Sequence, residues 1–258
     1  MSETTPVFQL SGPRTFSGIT GDYLDAGDPA PLALSAGTIS LQFTADNVSG
    51  FNSLFSKDGA GFGAGDLTVF IHNGALRVRQ ETETGALVLR VDGVTITEGQ
   101  PHHLAVSFGA DGLSVFLDGH LVVTEPTYKQ DWTLNDRSLL IGATGANRVS
   151  EMDAPAQLFE GTISDFEIYG QALAPPAIAT LAAPVNPDAL AQVEAATAIY
   201  EVATVFSQLH GASDTLLDQA STFGFGHGGH NLRQISIVEG GDGNNDLTGT
   251  HGGDALNG

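Results

Sequence analysis

The chain has no cysteine in its 258 residues, which excludes disulfide staples and cysteine-ligated zinc. It is also poor in positive charge. Lys and Arg total 9 against 30 Asp and Glu, for a formal net charge of −21. A field of that sign repels nucleic acid and anionic lipid, so neither is an expected partner, and it attracts divalent cations. No segment approaches the ~18 apolar residues of a membrane span. Met1 to Pro6 lacks the basic stretch and apolar run of a secretory leader, so either the protein stays inside or its export signal lies elsewhere.

What is present points to a globular, turn-rich fold. Apolar residues make up 41% of the chain, enough for a sizeable core, and the 33 glycines supply turns. Leu67–His72 and Ala75–Gln80 are β-prone runs joined by Asn73-Gly74, a strong short-range hairpin signal. His103–Phe108, Leu113–Leu117 and Leu121–Val123 form a second meander, broken at Asp111-Gly112 and Asp118-Gly119. Leu139–Ala143 reads as an inner strand, and Phe159–Tyr169 as a late strand with largely alternating apolar residues. The expected fold class is all-β. Two antiparallel sheets pack as a jelly-roll sandwich, with Val106, Phe108, Val115, Leu117, Ile141, Ile163 and Phe166 in the core.

After about residue 170 the composition changes. Ala172 to Pro187 reads as a short helical turn and linker. Asn186 is a good N-cap ahead of Pro187, and apolar residues from Leu190 to Leu209 recur at helical spacing. A helix over about 187–210 should pack on the sandwich or on a second copy of itself, which leaves an oligomer open. The domain reading is 1–182 for the sandwich, 183–233 for a helical linker segment and 234–258 for a repeat region.

In that last region Gly240-Gly241-Asp242-Gly243-Asn244-Asn245-Asp246-Leu247-Thr248 is followed by Gly249-Thr250-His251-Gly252-Gly253-Asp254-Ala255-Leu256-Asn257. The period is nine, and Leu247 and Leu256 hold the apolar position. The run resembles the RTX nonapeptide of the calcium-bound β-roll, against the alternative of a flexible Gly/Asp/Asn tail. The resemblance implies Ca²⁺ at Gly241, Gly243, Asn245 and Asp254, with carbonyls and hard carboxylate oxygens as ligands. Asn245 and Thr250 depart from the pattern. Two copies do not complete a stacked site, so the chain is expected to be the front of a longer protein. The resemblance further implies type I secretion and an extracellular location.

Residues from about 20 to 181 resemble the laminin G-like, concanavalin A-like jelly-roll family. The matching pieces are Gly21-Asp22-Tyr23-Leu24-Asp25, Gly37–Phe43, Ser56-Lys57-Asp58-Gly59 with Gly65-Asp66-Leu67, His102–Phe108, Leu117-Asp118-Gly119, and Phe159–Tyr169 with Ala172-Leu173. Pro101 stands where the family usually has Trp. Such domains often hold one Ca²⁺ at a sheet rim, which makes Asp58 and Asp66 metal candidates; the plainer reading is two turn aspartates.

His102 and His103 are neighbours on one strand, so at most one faces the core, and both read as structural. His227 and His230, with His210 upstream, lack a defined third metal ligand. Glycosidases need two facing carboxylates. Glu81 and Glu83 are the nearest approach, at an apparent hairpin end, and no Ser-His-Asp, phosphate-loop or H-E-x-x-H pattern is found. The expectation is therefore no enzyme. The chain reads as a secreted surface or adhesion module that binds a glycan or an extracellular protein. The alternatives are a polysaccharide-active enzyme and a structural spacer.

Overall fold

The two Gly-terminated turns fold as their chemistry dictates. Asn73 and Gly74 take φ 52° and 75°, and Asp118 and Gly119 take 51° and 82°. Two successive positive φ values make a tight turn whose twist matches that of the strands it joins, and Asn, Asp and Gly tolerate it best. The computed structural model describes residues 5–188, apart from 11, 60–62, 83–84, 129 and 148–151. The helix expected over 187–210, apart from Pro187 and Asp188, lies outside the described residues. So do the nonapeptide repeat with Gly241, Gly243, Asn245 and Asp254, and the His210, His227 and His230 group.

Among the described residues the strands are β1 (Phe8–Leu10), β2 (Arg14–Ser17), β3 (Leu24–Asp25), β4 (Gly37–Ala45), β5 (Phe51–Lys57), β6 (Leu67–His72), β7 (Ala75–Thr82), β8 (Gly85–Arg90), β9 (Pro101–Gly109), β10 (Gly112–Leu117), β11 (His120–Glu125), β12 (Leu139–Ile141), β13 (Thr144–Asn147), β14 (Met152–Ala156) and β15 (Glu160–Tyr169); an α-helix, α1 (Pro175–Ala182), follows. They form a seven-stranded sheet in the order β1-β15-β4-β9-β10-β11, with β2 also on β15, and a six-stranded sheet in the order β3-β12-β5-β6-β7-β8. β13 and β14 make a separate hairpin. Every strand pairing is antiparallel.

The sheets enclose one apolar core containing Ile39, Leu41, Phe55, Val69, Val78, Trp132 and Phe159, together with the seven core residues expected from the sequence. Trp132, the only tryptophan, is fully buried and lies 5.3 Å from the Phe108 ring.

β4 and β9 are buried on both faces, because α1 covers the outer face of the larger sheet. Ala105, Phe116, Tyr169, Leu173 and Ile178 make a second, smaller cluster there. α1 starts with Pro at its first position, where no intrahelical N–H is needed. Asn186 ties down the segment after it, with its amide donating to Asp118 O at 2.7 Å.

The smaller sheet is covered differently. Over β5 it is met by Gly145 and Gln157: Ser53 N–H donates to Gln157 O at 2.7 Å, and Gly145 N–H donates to Ser56 Oγ at 3.1 Å. Toward β8 the sheet opens to solvent, with Leu87 and Val88 nearly half exposed, and Phe51 at the start of β5 is nearly half exposed too.

Candidate functional site

Register explains what gathers at one end of the smaller sheet. Lys57 of β5 pairs with Leu67 of β6, which pairs with Gln80 of β7. Asp58 follows β5, Asp66 precedes β6 and Glu81 sits one step beyond Gln80, so the three carboxylates converge. Each offers an oxygen within 4.8 Å of the others, and all three side chains are buried. Asp58 Oδ2 accepts from Thr68 Oγ1 at 2.7 Å and Thr144 Oγ1 at 3.3 Å. Asp66 Oδ1 accepts from the Asn135 amide at 3.0 Å. Glu81 Oε1 accepts from the Arg79 guanidinium at 2.6 Å.

The loop between β5 and β6 is shaped for this closeness. Gly65 takes φ +81°, and a side chain there would collide with the Asp131 carbonyl. At Gly145 a Cβ would run into the Asp58 carbonyl, so glycine lets β13 close over the site. The Arg137 guanidinium lies against Gly59, beside Asp58. Hard carboxylate and hydroxyl oxygens at one point are a donor set suited to Ca²⁺.

The structure thus brings together the two aspartates singled out from sequence and adds Glu81. Sequence reading had weighed Glu81 only as half of a glycosidase pair with its neighbour Glu83. Asp58 and Asp66, which the fold brings beside it, are distant in the chain, and the signal for them was the β6–β7 register.

Beneath the cluster lies Lys57, whose side chain is fully buried. Its ammonium donates to Asn135 O at 2.7 Å, Arg137 O at 2.8 Å and Asn135 Oδ1 at 3.2 Å, and pairs with Asp28 at 2.9 Å. The Asn135 amide returns bonds to Lys57 O at 3.0 Å and Gly65 O at 2.7 Å. One lysine and one asparagine therefore fasten three loops around the acidic group.

At the opposite end of the same outer face stands an aromatic group. Phe51 stacks on His72, with centroids 4.0 Å apart and planes 8° from parallel, and Phe70 lies 5.7 Å from Phe51.

The adjacent histidines are structural. His102 faces inward against Phe43 and bonds through Nδ1 to Asp118 Oδ2 at 2.9 Å. His103 faces outward yet is 1% exposed, beneath the helix side of the larger sheet, with Nε2 at 2.9 Å from Ser40 Oγ. Burial pushes its pKa down to about 4, with nearby Asp118 opposing that shift. Between an ordinary value near 6.5 and about 4, the unfolded chain takes up a proton that the folded one refuses, so stability should fall as pH drops through that window. An NMR titration should show the His103 ring neutral at pH 5.5; a midpoint near 6.5 would contradict its burial.

The two facing antiparallel sheets define a lectin-like jelly-roll sandwich. The chain belongs to the laminin G-like family of the concanavalin A-like lectin/glucanases superfamily, whose family model matches residues 17–179. Among solved structures it is similar to CBM40 of the Ruminococcus gnavus IT-sialidase bound to alpha2,3 sialyllactose, at 19% identity and TM-score 0.55 over 69% of this chain and all of that one. It is also similar to the NanB sialidase of Streptococcus pneumoniae, at 16% identity and TM-score 0.56, covering 68% of this chain and 28% of that one. The leech intramolecular trans-sialidase matches at 17% identity and TM-score 0.54, with 69% and 28% covered. These likenesses establish the fold, and for the two whole sialidases they span little more than a quarter of the enzyme. No curated protein is similar to the chain.

Proposed function

We propose that the sandwich is a non-catalytic glycan-binding module of a secreted surface protein. The observation that carries this reading is the open aromatic platform on the smaller sheet. Phe51 is 48% exposed although stacked on His72. A flat ring held rigidly at the surface buries the apolar face of a sugar without ordering cost. The family to which the sandwich belongs and the sialyllactose-bound CBM40 support the same ligand class. The three clustered carboxylates are bonded to Thr, Asn and Arg side chains and are at most 4% exposed, which leaves no room for a sugar ring between them. That favours binding over hydrolysis.

Asp58, Asp66 and Glu81 form the proposed calcium site of the module, a structural one that fixes the loops at its end of the sheet. The nonapeptide run from Gly240 fits a second, RTX-type calcium region and export by type I secretion.

A glycan array probed with the labelled full chain tests the module. Binding without turnover is expected, and Phe51→Ala should weaken it about tenfold, ~1.4 kcal/mol. Hydrolysis of any bound glycan, or no binding across the array, would overturn the reading.

A further inference from the structure

The chain carries only nine lysines and arginines, and three of them share one face of two neighbouring strands. Arg77 and Arg79 alternate along β7 on the outer side of the smaller sheet, and Arg90 of β8 is the direct cross-strand partner of Arg77. Phe70, part of the aromatic platform, is the partner of Arg77 on the other side. In an antiparallel pair such neighbours have Cβ atoms ~5 Å apart, and two like charges placed there repel.

The three arginines are not neutralised alike. Arg79 is held by Glu81 at 2.6 Å. Arg90 has Asp92 at 3.3 Å, but both are strongly exposed, at 63% and 88%, and such a pair is weak and exchangeable. Arg77 makes no ion pair and no side-chain hydrogen bond among the described residues, and its Nε is buried without a partner. With 30 carboxylates in the sequence, a half-buried guanidinium without one, facing a second arginine, is conspicuous. An anion from outside would relieve both the repulsion and the missing bonds.

We infer that Arg77 and Arg90 bind the carboxylate of an acidic sugar whose ring rests on the Phe51–His72 platform. This rests on the glycan-binding reading above and specifies its ligand class. Planar guanidinium forks match a carboxylate by paired, charge-assisted hydrogen bonds. The Arg77–Phe70 pairing sets charge and ring platform side by side, which suits a sugar carrying its charge on the ring rather than a flexible polyanion. The site is distinct from the acidic cluster, since Arg79, which is paired with Glu81 of that cluster, stands between it and Arg77 on β7.

The test is calorimetric titration of the full chain with 3′-sialyllactose and trigalacturonate, with lactose as the neutral control and dextran sulfate as the sulfate control. The wild type should prefer the two carboxylated sugars over lactose by at least tenfold, with affinity falling as salt rises. Arg77→Ala and Arg77→Lys should both remove that preference, the lysine variant because it keeps the charge but loses the fork. Arg90→Ala should weaken it several-fold. Unchanged Trp132 fluorescence and melting temperature would show that each variant folds. If neutral glycans bind as well as acidic ones and Arg77→Ala changes nothing, the acidic-sugar site is wrong while the module reading stands. Preference for dextran sulfate alone would also overturn the site. If no glycan of either kind binds, the module reading falls first.

Discussion

Replacing Lys57 by methionine should destabilise the sandwich by ~3–5 kcal/mol, the range for breaking a buried charge network on one side. Methionine nearly conserves the volume, so the loss isolates the bonds. The variant strips the Asn135 and Arg137 carbonyls of their buried donor and leaves Asp28 without its ion pair. Each carbonyl stranded away from water costs ~1–3 kcal/mol. Urea unfolding followed by Trp132 fluorescence measures this, and Trp132 sits in the short turn, Trp132–Leu134, that leads into Asn135. Asp28→Asn should cost far less, because that carboxylate is about one-third exposed. A Lys57→Met variant within ~1 kcal/mol of wild type, the size of an ordinary surface effect, would show that the loops are held by something else.

The same substitution should reach the acidic cluster. Asn135 donates at once to Lys57 O, Gly65 O and Asp66 Oδ1, so loosening it frees the Gly65 turn and the Asp66 carboxylate together. Lys57 is thus a positioning residue for the cluster without being one of its oxygen donors.

How far the sequence revealed this depends on whether a feature is local. The Asn73-Gly74 and Asp118-Gly119 turns were legible because two adjacent residues determine them. The core followed from alternation within single strands. Sheet order was not legible: β4 lies between β15 and β9, and β12 between β3 and β5, and no local pattern encodes those pairings. The nearness of Glu81 to Asp58 and Asp66 was not legible for that reason, since reading it beside Glu83 asked about chain neighbours while those two aspartates flank β5 and β6. Asp58 and Asp66 were singled out because a family motif carries them. The arginine face needed the Arg77–Arg90 register, which the Arg77-x-Arg79 alternation alone does not supply. The burial of His103 needed a helix on the outer face of the larger sheet, where a one-sided sandwich would have left it wet.

Calcium is the second large effect expected. Three carboxylates with oxygens within 4.8 Å of one another and shielded from water repel strongly, and Arg79 already offsets one of them through Glu81. A divalent cation bound only by the folded state stabilises it by ~2.7 kcal/mol at a hundredfold excess over its dissociation constant. Melting temperature should therefore rise with calcium and fall with EDTA, and magnesium should do less because it demands a tighter octahedral shell. Asp66→Asn should abolish the shift, since it removes one of the three converging carboxylate charges while keeping an oxygen that can accept from Asn135. Glu81→Gln should reduce it less, because part of that charge is already spent on Arg79. The nonapeptide region offers a rival source, and Asp254→Ala separates the two. If Asp254→Ala removes the shift and Asp66→Asn leaves it intact, calcium acts through the repeat. If neither calcium nor EDTA moves the transition, Arg79 and the Thr68, Thr144 and Asn135 donors already satisfy the cluster, which is then a structural knot in the sandwich and not a metal centre.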